Sequence, residues 1–564
     1  MKKLLILLFL LPSTILMAQY FETGQDPASI KWRQINTLNF QLIYPDYYEE
    51  QAQVLAQKLE LVYDFGSSTL GHKPKKISVI LHTQTVQSNG LVAYAPKRSE
   101  LYTTPRQSIY PQDWLEQLAL HEFRHVVQID KMNTELPQII KIILGEQGTA
   151  LLFGAYLPWW FIEGDAVVTE TALSNYGRGR LPSFLVEHRA QVVDKKRYSY
   201  DKAYLGSYKD FVPDHYRLGY YLVANSRERY GAEIWGKAIS RAAKKPLSLT
   251  PFNKTLKLET GMGKVKLYES IFDSLSVVWK NTDSEFQTMP SKQITPNTKT
   301  YTNYQYNYSL NEQEIISYKT SLDAVPAFVI INKNGVEKKL FSPGTIFDES
   351  VNYYGDWIVW AEQKPSVRWS HSGTSQIKLF NVRTRKSYSF SPEFKAFAPA
   401  LTADLEQVAV VETDFSSNNY LSVYNITSGE LKHRYQTSEN NFFFSPVWLN
   451  QHEILCVVLT EAGKRIAKIN LQTESHTFLS NTELGDIKQL QISENKLYFI
   501  SSYSGKDALY QYNLGNGELE QLYAPRFDAA YPTIGKNGEI ILSDYTGNGY
   551  RIIEVQAQNS LAIT

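Results

Sequence analysis

The chain has 564 residues, of which 43% are hydrophobic, 20% charged and 13% aromatic, with 30 glycines and 23 prolines. That composition excludes long disorder, collagen and coiled coil, and at ~150 residues per domain the length predicts two or more domains. Lys and Arg (58) balance Asp and Glu (57), so no basic footprint for nucleic acid is present, and the single cysteine, Cys456, excludes an internal disulfide, a thiolate zinc site and a CxxC redox pair.

Lys2 and Lys3 precede the apolar run Leu4–Leu11, and Leu16-Met17-Ala18 then meets Gln19. This is the pattern of a signal peptide over 1–18, cut after Ala18, so the expected product is exported, periplasmic or secreted. Pro12, Ser13 and Thr14 interrupt the run, and no later stretch is long and apolar enough to span a bilayer.

Residues 19–282 read as one mixed α/β domain. Phe40–Tyr44 and Ile77–Leu81 have strand character, and Tyr47–Tyr63 between them has helical spacing at Ala52, Leu55, Leu59 and Val62. Leu91–Tyr94 and Glu100–Tyr102 predict a hairpin, and long helical patterns dominate from Pro111 to about 245.

One pentapeptide carries chemistry: His121-Glu122-Phe123-Arg124-His125. Pro111–Asp130 reads as one helix with Pro111 in its first turn, so the two histidines, four residues apart, share a face. Both imidazoles can then reach one tetrahedral Zn²⁺. Glu122, one residue on, turns off the ligand face, where it can take a proton from a metal-activated water. A catalytic zinc needs a third protein ligand and an open position. The best candidate is Glu163 in Trp159-Trp160-Phe161-Ile162-Glu163-Gly164-Asp165, which follows Pro158 and opens a second amphipathic helix. Glu170, two turns along the same face, is expected to hold a zinc-bound histidine by its other N–H. Glu146 is the rival ligand, between Gly145 and Gly148 in the apolar stretch that separates His125 from Glu163.

Residues 283–297 are polar and contain Pro290 and Pro296, and are expected to be the linker. From 298 to 564 short strands repeat. Asn381, Asn425, Asn470 and Asn513 each sit in an apolar-Asn-aliphatic pattern, 44, 45 and 43 residues apart; Asn332 fits 49 residues upstream and Glu554 stands in the same place 41 residues downstream. Pro399, Pro446 and Pro532 form a second landmark, each followed by a polar turn and a strand. Units of this length predict a six-bladed β-propeller, each Asn opening the turn of an outer hairpin.

The propeller half resembles the TolB-like family on its Asn425-Ile-Thr-Ser-Gly-Glu430 pattern. The first half resembles the gluzincin metallopeptidases of the aminopeptidase-N branch: His121, Glu122, His125, Glu163, Gly164 and Glu170 match the family motif, with Ile162 where the family has Asn. That resemblance further implies that the tyrosine of Tyr216-Arg217-Leu218-Gly219 hydrogen-bonds the tetrahedral oxyanion. The gap between His125 and Glu163 is longer than the family's, and the family's motif for a free N-terminus is missing, which favours an endopeptidase. The hairpin strand near Val92 is then available to pair with substrate backbone.

The expectation is therefore an α+β zincin-type peptidase domain followed by an all-β six-bladed propeller. Zn²⁺ is bound by His121, His125 and Glu163, Glu122 and Tyr216 are catalytic, and Glu170 is a supporting residue. The substrate is a peptide or protein, and the propeller binds a protein partner or restricts substrate entry. The competing expectation is a non-catalytic TolB-like envelope scaffold with a relic peptidase domain. No G-x-S-x-G, P-loop or dinucleotide fingerprint occurs. His72, His82, His188, His215, His371, His433, His452 and His476 have no partner at ligand spacing and read as surface or hydrogen-bonded residues.

Overall fold

The computed structural model describes residues 25–480, 482–555 and 561–562. The expected signal peptide, 1–18, lies outside them. Among the described residues no helix is long and apolar enough to cross a membrane.

An N-terminal mixed α/β region precedes an all-β region. Its sheet has five strands, β1 (Trp32–Asn36), β2 (Phe40–Pro45), β3 (Ile77–His82), β4 (Gly90–Tyr94) and β5 (Lys97–Tyr102), in the order β1-β2-β3-β5-β4. β2, β3 and β5 run parallel, whereas β1 and β4 are antiparallel edges. Alternation explains the orientation: Phe40, Leu42, Ile77 and Val79 point into a core shared with Leu55, Leu59, Phe123 and Val127 from two helices. These helices are α1 (Glu49–Ser68) and α2 (Trp114–Glu135). The second starts later than expected: Pro111 lies outside it, and Asp113 caps it by accepting the Glu116 N–H at 3.0 Å.

Gln138–Tyr156 (α3) is bent at Gly145, whose φ of 63° no helix can hold. Trp159–Leu173 (α4) departs from the amphipathic expectation. Every residue from Trp160 to Glu170 is buried, because α4 is packed between α2 and the helix His215–Tyr230. Glycine makes the second of those contacts possible: a Cβ on Gly219 would lie 1.8 Å from the Trp160 carbonyl oxygen, and one on Gly164 would lie 2.2 Å from the Gly219 carbonyl carbon.

The all-β region is a six-bladed propeller of antiparallel sheets, four-stranded except for the fifth, which Leu561–Ala562 extends by a fifth strand. In five blades the Asn at the end of the third strand does what the sequence pattern requires: the Oδ1 of Asn332, Asn381, Asn425, Asn470 and Asn513 accepts backbone N–H groups two to four residues ahead and forms the turn to the fourth strand. The sixth blade carries Glu554 there because no hairpin follows. Its fourth strand is Ser291–Gln293, from the start of the region, paired as Ile553↔Gln293 and Val555↔Ser291. Those three residues lie within the 283–297 segment expected as linker.

A further six-fold feature escaped the sequence reading. The first strand of each blade holds one non-glycine residue at positive φ: Tyr306, Glu349, Ala398, Ser445, Gln489 and Tyr531. Each sits at a shift in strand register, and all six line the central channel. Pro399, Pro446 and Pro532 directly follow three of them, which is why proline marks the repeat.

The two regions pack together. Ile109 enters the propeller core, Gln107 donates to the Phe443 carbonyl at 3.2 Å, and the buried Lys395 ammonium donates to Thr83 O and Thr104 Oγ1, both at 2.9 Å.

Candidate metal centre

His121 and His125 project from one face of α2 toward Glu163, the fifth residue of α4. Their Nε2 atoms are 3.2 Å apart, and Glu163 Oε2 lies 3.3 Å from the first and 3.2 Å from the second. All three residues are buried, and together they could hold a metal ion. Two imidazoles and a carboxylate suit a divalent transition ion, and the near-equilateral triangle matches the ~3.3 Å edge of a tetrahedron with bonds of about 2.0–2.1 Å. Glu146 is exposed, next to the bend of α3, and is not part of this group.

The other ring nitrogens are also engaged. His121 Nδ1 is 3.0 Å from Glu170 Oε2, and His125 Nδ1 is 3.0 Å from Gln128 Oε1. With both Nε2 atoms as donors to an ion, Gln128 Oε1 accepts the His125 Nδ1 proton, and Glu170 Oε2 is the acceptor beside His121 Nδ1, where the Arg178 guanidinium also stands. Gln128 is itself fixed, donating to Ile162 O at 3.0 Å and Asp165 Oδ2 at 2.9 Å. Asp165 in turn pairs with Arg124 and Arg227, at 2.6 Å and 2.5 Å. The x positions of HExxH are thus not fillers, since Arg124 ties α2 to α4 through Asp165.

Arg178 was missed by the sequence reading. Its guanidinium grips Glu170 at 2.7 Å and 2.8 Å, its Nη2 lies 2.6 Å from His121 Nδ1, and it sits over the Tyr216 ring at 5.3 Å. It lies in a short turn after α4, with no periodicity to mark it.

The electrostatics follow from burial and pairing. Burial pushes the Glu122 carboxyl up, and His121 and His125 pull it only part of the way back. One of its oxygens, Oε2, is buried and has no hydrogen-bond partner among the described residues. Burial disfavours the charged His125, yet the Glu163 carboxylate outweighs it and lifts the ring to about 9, while the same histidines hold Glu163 far below the carboxylate range. Glu170, despite burial, is brought down to about 2 by Arg178. Burial, reinforced by Glu163, raises the Tyr216 phenol.

A cavity of about 480 Å³ adjoins the group, lined by Gly90, Tyr110, His121, Glu122, Glu170, Arg178 and Tyr216 among others. Gly90 opens the edge strand β4, and a Cβ there would come within 2.7 Å of Glu122 Oε1, so the strand approaches the carboxylate only because the position is glycine. The Tyr216 ring centre is 6.1 Å from that of His121. Tyr220 points elsewhere, donating to Gly179 O at 3.2 Å.

No family model matches the chain, and no curated protein matches it. Solved structures similar to it include TolB from Acinetobacter baumannii, at 13% identity over 53% of this chain and 72% of that one, with a TM-score of 0.33. The β-propeller domain of the Trilobed protease from Pyrococcus furiosus is 11% identical over 47% and 98%, with a TM-score of 0.33. A puromycin-hydrolyzing peptidase of Mycobacterium tuberculosis is 10% identical over 49% and 55%, with a TM-score of 0.35. Likenesses this distant carry nothing about activity; the six sheets themselves define the propeller.

Proposed function

We propose that the protein is an exported zinc-dependent peptidase of gluzincin type that hydrolyses peptide bonds. One observation carries the reading: the His121–His125–Glu163 triangle of 3.2–3.3 Å lies beside a buried glutamate, Glu122, with an unpartnered oxygen, and His121 and Glu122 both line an accessible cavity. The three residues would hold the ion and leave a fourth position free. What Zn²⁺ supplies when bound is Lewis acidity, which polarises a carbonyl and lowers the pKa of water.

The remaining work falls to the chain. Glu122 accepts the proton of the attacking water at its carboxylate and later delivers it to the departing amine; burial raises its basicity for the first task and its availability as an acid for the second. Tyr216 keeps its phenolic proton and donates it as a hydrogen bond to the oxyanion. Glu170 and Gln128 fix the two imidazoles, and Arg178 balances the Glu170 charge. The free edge of β4 lies where an extended substrate can pair with it, which favours internal peptide bonds. The propeller, docked through Gln107, Ile109 and Lys395 next to the cavity wall, restricts entry to the cavity or receives a protein partner.

The test is zinc analysis combined with hydrolysis of a casein-type substrate. Bound zinc with activity lost on metal removal and restored by Zn²⁺ is expected; a zinc-replete protein that cleaves no peptide substrate refutes the reading.

A further inference from the structure

A second group of two imidazoles and one carboxylate lies where the N-terminal region meets the propeller. Asp26 precedes β1, His82 ends β3, and His371 lies in the loop between the second and third strands of the second blade. Asp26 Oδ1 is 3.1 Å from His82 Nδ1, and its Oδ2 is 3.2 Å from His371 Nδ1. The two rings lie 4.1 Å apart, centre to centre, and one donor atom from each of the three residues falls within 4.8 Å of the others. Both histidines are buried. The two Asp26–imidazole distances are close to the carboxylate–imidazole distances of the HExxH group, and polar groups again stand behind both rings. His82 Nε2 faces Glu100 Oε2 at 3.3 Å, and His371 Nε2 meets Tyr102 OH at 3.1 Å. Glu100 is held in turn by Arg98 at 2.5 Å.

The proton count at His82 is the informative point. A neutral imidazole has one N–H, yet this ring faces a carboxylate at each nitrogen, Asp26 at Nδ1 and Glu100 at Nε2. A second ring proton or a cation on the Nδ1 side resolves this; with Nδ1 as ligand to a cation, the ring proton sits on Nε2 and faces Glu100. The same tautomer of His371 directs Nε2–H to Tyr102. We infer that Asp26, His82 and His371 form a second metal site, binding one divalent first-row transition ion of the Zn²⁺ class and stapling the N-terminal region to the propeller. The role is structural, since the three ligands come from three chain segments that meet only in the assembled fold. The backbone already converges there, with His371 N–H donating to Gln25 O at 2.8 Å and Gly373 N–H to Gln84 O at 3.1 Å. An ion bound by this constellation binds the docked state and not the separated one.

The inference does not depend on the peptidase reading. The test uses the full chain carrying His121→Ala and His125→Ala, stripped with a chelator and titrated with Zn²⁺ against a chromophoric competitor. One equivalent per chain is expected, with a rise in Tm on adding Zn²⁺. Asp26→Asn or His371→Gln, both close to isosteric, should weaken that uptake by more than about 100-fold, and Glu100→Gln by about 10–100-fold. Wild type should hold two equivalents. No uptake by the double variant, or equal uptake after Asp26→Asn and after His371→Gln, overturns the site and leaves a cluster held by protons. A single wild-type equivalent lost from the double variant refutes this site and leaves the HExxH centre intact. One kept there and lost with His371→Gln does the reverse.

Discussion

Gly219→Ala tests how the site is assembled. A Cβ at that position lies 1.8 Å from the Trp160 carbonyl oxygen, 2.7 Å from Gly164 Cα and 2.8 Å from the Trp160 carbonyl carbon. All three are backbone atoms or glycine Cα, so no rotamer change relieves the overlap. Restoring a contact of about 3.0–3.4 Å requires α4 and the His215–Tyr230 helix to separate by more than about 1 Å. Overpacking of this kind costs about 1–3 kcal/mol, here at the upper end, and the intrinsic gain of Ala over Gly in a helix returns about 1 kcal/mol. The expected net loss is about 2 kcal/mol by urea unfolding. Tyr216 lies one turn before Gly219 and Glu163 beside Gly164, so the shift also moves phenol and carboxylate apart; a misplacement of about 1 Å lowers turnover by ~10²-fold. Gly154→Ala is the matched control, an exposed helical glycine with no atom within 4 Å of its added Cβ, and should gain about 0.5–1 kcal/mol. Equal stability and activity in the two alanine variants would refute the close crossing.

Other outcomes follow from named contacts. Zinc content should fall in a graded series: lost in Glu163→Ala, weakened by about 10–100-fold in Glu170→Ala and unchanged in Glu146→Ala, as read by competition with a chelator. Tyr216→Phe should lower kcat with little change in KM, whereas Tyr220→Phe, whose hydroxyl bonds Gly179 O, should leave both unchanged. Lys395 titrates near its ordinary 10.5 in the unfolded chain but is brought down by burial to about 7 in the fold. Folding therefore expels a proton between those values, so its contribution to stability grows as pH rises from about 7 to about 10.5. Lys395→Met should remove that slope in unfolding measured at pH 7 and pH 9.

The fold was readable where local chemistry repeats. The Asn turns recur because each third strand must reverse into a fourth, and Glu554 breaks the pattern where the fourth strand arrives from Ser291–Gln293. The swap itself was hidden, because three polar residues between prolines look like linker. In the site, His121, Glu122, His125 and Glu163 were legible because helix geometry alone brings the histidines together and Pro158 fixes where the next helix begins. Asp165 and Arg178 were not, since their partners come from separate elements; Gln128, three residues after His125 on the same helix, carries only the i, i+3 spacing common to any helix. The expectation of an amphipathic α4 fails because Asp165, between the two site glutamates, is buried as well and paired with Arg124 and Arg227, which leaves no solvent face over Trp160–Glu170. His82 and His371, without partners in the linear pattern, meet at Asp26 across 345 residues.

Glu122→Gln puts the central claim to its most direct test. The amide keeps the shape of the side chain and leaves all three ligands in place, but it cannot accept a proton. Zinc content and casein hydrolysis measured on the same preparation should show the metal retained and activity lower by about 10²–10⁴-fold. Undiminished hydrolysis with zinc retained would contradict the account, because some other group would then be taking the proton.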